Sequence, residues 1–236
     1  PKDNVISFLK TSQKAAIGGK AELETAVDGI SSVVNAYGRD VIKATKTSDI
    51  MFTTVRKGKT TFKELSSSLY NVIPTASSLG VQFEDVGAAI ATMTAKGTPT
   101  KQATTQIRQA LNELSKDGSE AAEMFESMAG KSFTKFIAEG GNLGQAMQFM
   151  NQAARKNNTS VKNLFSSVEA GQAVLALTGK GSKKFANNLE EMREAAGATQ
   201  TAFDKMNENS QRSFAKFGAA IEGAAITFAE SIAPVI

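Results

Sequence analysis

Residues 56–62 read Arg-Lys-Gly-Lys-Thr-Thr-Phe, "RKGKTTF", and two folds compete for them. Gly58-Lys59-Thr60 has the letters that close a phosphate-binding loop, which would place an α/β nucleotide site here. The same letters also fit a helix that stops at Lys57-Gly58 and restarts at Thr61. A phosphate loop needs a glycine five residues before its Gly-Lys pair, so that bare backbone N–H groups can wrap the phosphates. That position is Thr53, inside "DIMFTTVRKGK", where apolar residues recur with helical period instead of as a strand. The helical reading also uses more of the stretch. Glycine ends one helix, and Thr61-Phe62-Lys63-Glu64 fits a capping box in which hydroxyl and carboxylate satisfy each other's backbone N–H.

Outward from this junction, nearly every segment repeats with helical period. Leu23, Val27, Ile30, Val34 and Tyr37 step by three and four residues, which lays one apolar stripe along a helix. Phe62, Leu65, Leu69, Ile73, Ala76 and Leu79 continue past Pro74. Proline lacks an N–H and clashes with the preceding turn, so a kink or break is expected near Ile73. Further stripes run through Phe83, Val86, Ile90 and Met93, then Ile107, Leu111 and Leu114, then Leu143, Met147 and Met150. Val161, Leu164, Phe165 and Val168 form another, followed by Phe185, Leu189 and Met192. Glycines at 18–19, 58, 97, 140–141, 179 and 181 punctuate the pattern, and those after lysine read as left-handed helix ends. Thr98-Pro99 reads as an N-cap followed by proline at the first helical position, and Ser119 as a cap after Asp117-Gly118. The expected fold is all-α: a multi-helix bundle of short helices joined by Gly/Pro turns, with a longer C-terminal helix.

That last helix is read from Phe203, Met206, Phe214, Phe217, Ile221, Phe228 and Ile232, whose spacing suits packing on a partner helix or a short coiled coil. Lys216, Glu222 and Glu230 interrupt residues 214–236 before they reach the roughly 20 apolar residues of a membrane span. The chain opens at Pro1 without a methionine or signal peptide and stops at "SIAPVI" within an apolar pattern. It is therefore expected to be part of a longer protein.

Composition narrows the chemistry. The 236 residues include no Cys, no His and no Trp. That excludes a Cys/His zinc site, a Ser-His-Asp triad and a thiol nucleophile. Net charge is +4 and spread over 27 basic and 23 acidic residues. The densest basic cluster, Lys180, Lys183 and Lys184, has only Phe185 beside it and reads as a solvated helix start, with no specific nucleic-acid site. The acid pairs Glu84-Asp85, Glu190-Glu191 and Glu120 with Glu123 read as helix first turns or solvated faces rather than a glycosidase dyad. Arg108 and Glu113 lie on a polar face among Gln102, Gln106 and Gln109, and Met93, Met124, Met128, Met147 and Met150 read as core. No catalytic, cofactor-binding or metal-ligating residue is assigned, and the chain is expected not to be an enzyme.

The order of these stretches resembles the core region of phage tail tape measure proteins. The resemblance rests on Asn35-Ala36-Tyr37-Gly38, Thr60 to Leu65, Pro74 to Val81, Gly97 to Pro99 and Leu111 to Leu114, and on "LFSSVEAGQAVLALTG" from Leu164 to Gly179. It is strongest between about residues 23 and 117. It implies a structural component of a phage tail or tail-like particle, acting in tail assembly and length determination and released during DNA ejection. The partners it implies are the tail tube protein, tail assembly chaperones and tail-tip or baseplate hub proteins. Self-association through the C-terminal helix and host membrane contact during ejection are further expectations. The location it implies is the tail lumen of the virion, after synthesis in the bacterial host cytoplasm. Residues 1–118 would be a first helical block, 119–198 a second packed on it, and 199–236 a long helix leading onward. The alternative is a membrane-active helical protein, an ejection pore or toxin-like segment, using the amphipathic stretches 60–79 and 214–236.

Overall fold

Apolar residues spaced by three and four fold the chain into helices that stop where glycine, proline or a capping side chain intervenes. The computed structural model describes residues 2–208, and among them there is no strand. The first half holds α1 (Lys2–Gly18), α2 (Leu23–Tyr37), α3 (Ala44–Lys57), α4 (Phe62–Ser66), α5 (Ile73–Ser78), α6 (Phe83–Thr94) and α7 (Thr100–Ser115). The second holds α8 (Glu120–Ala129), α9 (Phe133–Ala138), α10 (Leu143–Lys156), α11 (Val168–Leu177), α12 (Ser182–Arg193) and α13 (Ala198–Glu208). Short 3-10 turns at Leu69–Asn71, Val161–Leu164 and Gly179–Gly181 join some of them. The all-α bundle of short helices is therefore what the chain adopts. The expected helix over 199–236 lies outside the described residues beyond Glu208, as do the amphipathic stretch 214–236 and the self-association assigned to it.

Helix α6 is the axis of the fold. All of its residues from Phe83 to Thr94 are buried, because α3, α7, α11 and α12 pack around it. Gly87 permits the close approach of α3: a Cβ there would lie 2.8 Å from the Thr54 hydroxyl and 3.0 Å from Ile50. Buried hydroxyls on this axis find local partners, with Thr92 and Thr94 donating to the carbonyls of Ala88 and Ile90 at 2.8 Å. Thr92 also accepts from the Asn188 amide of α12 at 2.9 Å, an inter-helix bond inside the core. On α8–α10, Phe125 meets Phe133, Phe136 and Phe149 edge-to-face at 5.4–5.9 Å, the preferred aromatic geometry.

Four local expectations are corrected. Pro74 does not break a helix but sits in the first turn of α5, where a missing N–H costs nothing; the break falls earlier, across Ser67–Val72. Pro99 itself occupies the cap position of α7, so that helix starts one residue later than expected and Thr98 caps nothing. The stripe from Val161 to Val168 is two pieces, because Phe165 is extended and Ser167 caps a new helix that leaves Val168 70% exposed. Gly97 and Gly179 take the left-handed conformation, but Gly58 and Gly181 do not. The latter two are needed for close packing instead.

Candidate functional site

The α3–α4 junction shows how "RKGKTTF" is used. The Gly58 N–H closes α3 on the Thr54 carbonyl at 2.9 Å, and a Cβ on Gly58 would overlap the Thr94 hydroxyl of α6. The next N–H, of Lys59, donates to that same hydroxyl at 3.2 Å. The Thr60 and Thr100 hydroxyls are 2.6 Å apart, tying the junction to the start of α7. The capping box is complete: the Glu64 N–H donates to the Thr61 hydroxyl and the Thr61 N–H to the Glu64 carboxylate, both at 3.1 Å. Phe62 then stacks on Phe52 with ring centres 4.8 Å apart. The N–H groups of Gly58, Lys59 and Thr61 all have protein acceptors, so the stretch is a helix stop and restart and not a phosphate cradle.

Two of its three cations are also engaged. Arg56 and Lys57 both pair with Glu191 of α12, the Arg56 contact at 3.3 Å. Glu191 is thus not simply part of a solvated face; it anchors α12 to the end of α3. The pair Glu84-Asp85 does lie in a helix first turn, but both side chains are buried rather than solvated. Lys46 meets Glu84 at 2.5 Å, and the Leu143 N–H at the start of α10 donates to Asp85 at 2.8 Å. Burial pushes the Asp85 carboxyl up to about 6, against the opposing pull of the Leu143 N–H and the Arg193 charge. Beside it, the Tyr37 hydroxyl donates to the Val81 carbonyl at 2.7 Å, and burial holds that phenol well above its usual range. Glu120 and Glu123 stay exposed in the first turn of α8, as expected.

Two residues read as unremarkable have definite roles. Glu113 reaches the start of α11, where its carboxylate accepts the N–H groups of Ser166 at 2.6 Å and Ser167 at 2.9 Å. Gln106 is buried and its amide donates to Gln172 at 2.5 Å. Only the amide-rich neighbourhood of Gln102, Gln106 and Gln109 hinted at such pairing.

Next to the junction lies a cleft of about 500 Å³, open to solvent between the end of α1, the α3–α4 junction and the α12–α13 link. Its lining combines apolar Phe52, Val55, Phe62, Ala195, Ala198 and Ala202 with polar Thr60, Thr61 and Thr201 and charged Lys20, Arg56, Glu194 and Lys205. The groups offer shape and charge. Among the described residues no cluster of three or more acids could hold a metal ion, and no helix is long and apolar enough to cross a membrane. Residues 60–79, the other half of the membrane-active alternative, turn their apolar side chains inward: Phe62, Leu65, Leu69, Ile73 and Ala76 are all buried.

Comparison with known proteins adds identity to this geometry. The family described as phage-related minor tail protein matches residues 1–164. A probable tape measure protein of Clostridium phage phiCD119 is 39% identical over 210 residues, covering 86% of this chain and 22% of that protein. A tape measure protein of Pneumococcus phage Dp-1 is 22% identical over 229 residues, covering 94% of this chain and 20% of that protein. The chain thus spans about a fifth of the length of these relatives. No solved structure matches it.

Proposed function

This chain belongs to the phage-related minor tail protein family, and on that premise we propose that it is the helical core segment of a tape measure protein. It serves as a structural part of a phage tail or tail-like particle, inside the tube whose length the whole protein sets. It is made in the bacterial cytoplasm, assembles with the tube protein, the chaperones and the tip or baseplate hub, and leaves ahead of the DNA. The names of the relatives that span most of this chain support the reading.

One structural observation shapes what the segment contributes. Among the described residues the longest helix, α1, has 17 residues and spans only about 26 Å, and the helices fold back onto a shared core. The same stretch drawn out as one helix would reach roughly 300 Å. Residues 1–118 and 119–198 therefore act as two successive helical blocks that form a node on the protein rather than a length of rod. Measured length resides elsewhere in the whole protein. Mass spectrometry of virions before and after DNA release tests the assignment. The chain should be present in intact particles and missing from emptied ones, and intact particles without it would overturn the proposal.

A further inference from the structure

We propose that α13 is a strap: it is latched to the bundle at its first turn and releases as a unit by swinging about Gly197, while the other helices stay packed. The boundary falls where core contacts stop. Helix α12 is pinned to the axis through buried Asn188, Leu189 and Met192, with the Asn188 amide bonded to Thr92. Ala195 is the last buried residue before the link, and Ala196 and Gly197 are exposed. Gly197 has a φ of +83°, so the chain enters α13 through a residue with wide conformational choice.

Little apolar burial holds α13 itself. Of its described side chains only Thr199 is buried, whereas every residue of α6 is. Ala198, Ala202, Phe203 and Met206 are half-buried, and α13 packs on α1 and α3. Gly18 lets α1 lie directly on the α13 backbone: a Cβ there would be 3.0 Å from the Phe203 nitrogen and 3.1 Å from the Ala202 Cβ. Groups this small fit closely but remove little apolar surface from water. On another side α13 borders the solvent-open cleft through Ala198, Thr201, Ala202 and Lys205.

The latch is polar and concentrated at one end. The Asp49 carboxylate on α3 accepts the N–H of Gly197 at 3.0 Å and of Thr199 at 2.8 Å, and the Thr199 hydroxyl donates to Ser48 at 2.8 Å. Lys14 of α1 adds a bond to Gln200 and lies over the Phe203 ring. Docked, these bonds fix the register of α13; on release water takes their place, which costs far less than opening a core. Asp85 and Glu113 cap α10 and α11 in the same manner, but those helices also bury whole apolar faces. For α13 the cap is the main attachment. Residues from 209 onward follow α13 directly, so the strap decides whether they depart beside α1 or swing from the exposed link at Gly197. The inference rests on packing and is independent of the tail assignment.

Native-state hydrogen exchange of the 236-residue chain, read by mass spectrometry, tests the strap. Amides from Ala202 to Asn207 should exchange at least about 100-fold faster than those of α6 and α12, and with one common opening equilibrium. Asp49→Ala should speed α13 by about tenfold more with α6 and α12 unchanged, and Thr199→Val should act the same way to a smaller degree. Thr199→Val leaves α3 intact, so it keeps the test decisive where Asp49→Ala loosens α3 itself. The chain has no cysteine, so Ser48→Cys with Thr199→Cys places a single disulfide across the latch. That bond should slow α13 toward the rate of α3, and reductant should restore the fast rate. Exchange of α13 no faster than that of α6 would overturn the proposal. So would protection that falls stepwise toward Asn207 and ignores the latch variants, which is simple fraying, or a rise shared by all helices in Thr199→Val.

Discussion

Asp85 in the first turn of α6 accepts the N–H of Leu143, the first residue of α10, at 2.8 Å, so one buried carboxylate caps a helix 58 residues away. The bond favours the charged form and burial the neutral one, and burial prevails: the carboxyl sits at about 6 instead of 3.8. A folded value raised above the unfolded one means stability that is fully present below about pH 4 and lost as pH rises through about 6. The difference corresponds to about 3 kcal/mol by pH 8. Asp85→Asn keeps an acceptor for Leu143 and removes the charge. Urea midpoints at pH 4, 6 and 8 should therefore flatten in this variant, whereas Asp85→Ala should be less stable by about 1–3 kcal/mol at pH 4 through the orphaned N–H. An unchanged pH profile in Asp85→Asn would contradict this account.

The junction gives a contrast between two adjacent positions. The Thr61 hydroxyl holds the Glu64 N–H, so Thr61→Ala should cost about 1 kcal/mol and lower the melting temperature. Lys59 is exposed and contributes its backbone N–H to Thr94, so Lys59→Ala should melt within about 0.5 kcal/mol of the parent. Calorimetric ATP binding that disappears in Lys59→Ala would restore the phosphate-loop reading.

What was legible in the sequence follows the range of the interactions. The Thr61–Glu64 box, the Ser119 cap and the stripes of α7, α10 and α12 involve residues within one or two turns, and periodicity reads those directly. Asp85 and Glu191 escaped because their roles depend on which helix faces them: α10 and the end of α3 lie 58 and more than 130 residues away. The complete burial of α6 escaped for the same reason. An amphipathic pattern with acids in the first turn reads as one-sided until helices pack on every side.

Gly58 marks where a correct boundary had a different cause. Its φ is −95°, ordinary for any residue, so conformational freedom is not what requires glycine there. The requirement is space, since a Cβ would overlap the Thr94 hydroxyl and lie 3.2 Å from the Ala91 Cα. Gly58→Ala should cost about 1–3 kcal/mol. Thr94→Ala should recover part of that loss, so the double variant should be more stable than the summed single effects by about 1 kcal/mol. Strict additivity in denaturant titrations would rule out the steric explanation.

Glu113 offers the strongest test of how the second half is held to the first. Its two carboxylate oxygens accept from Ser166 and Ser167, immediately before α11, while its own helix α7 packs along α11. The Ser167 hydroxyl meanwhile caps from within, accepting the Ala170 N–H at 3.1 Å. The start of α11 thus has one local cap and one long-range cap, and a sequence reading that ran one stripe from Val161 to Val168 found neither. Glu113→Gln keeps one acceptor oxygen and loses the second along with the charge, whereas Glu113→Ala loses both. The expected order of stability is parent, then Gln, then Ala, with the Ala variant lower by about 1–3 kcal/mol. Hydrogen exchange should localise the loss, with amides of Ser166 to Ala170 losing protection before those of α2 or α3. Uniform loss across the fold, or Gln matching Ala, would show that Glu113 does not act as the cap.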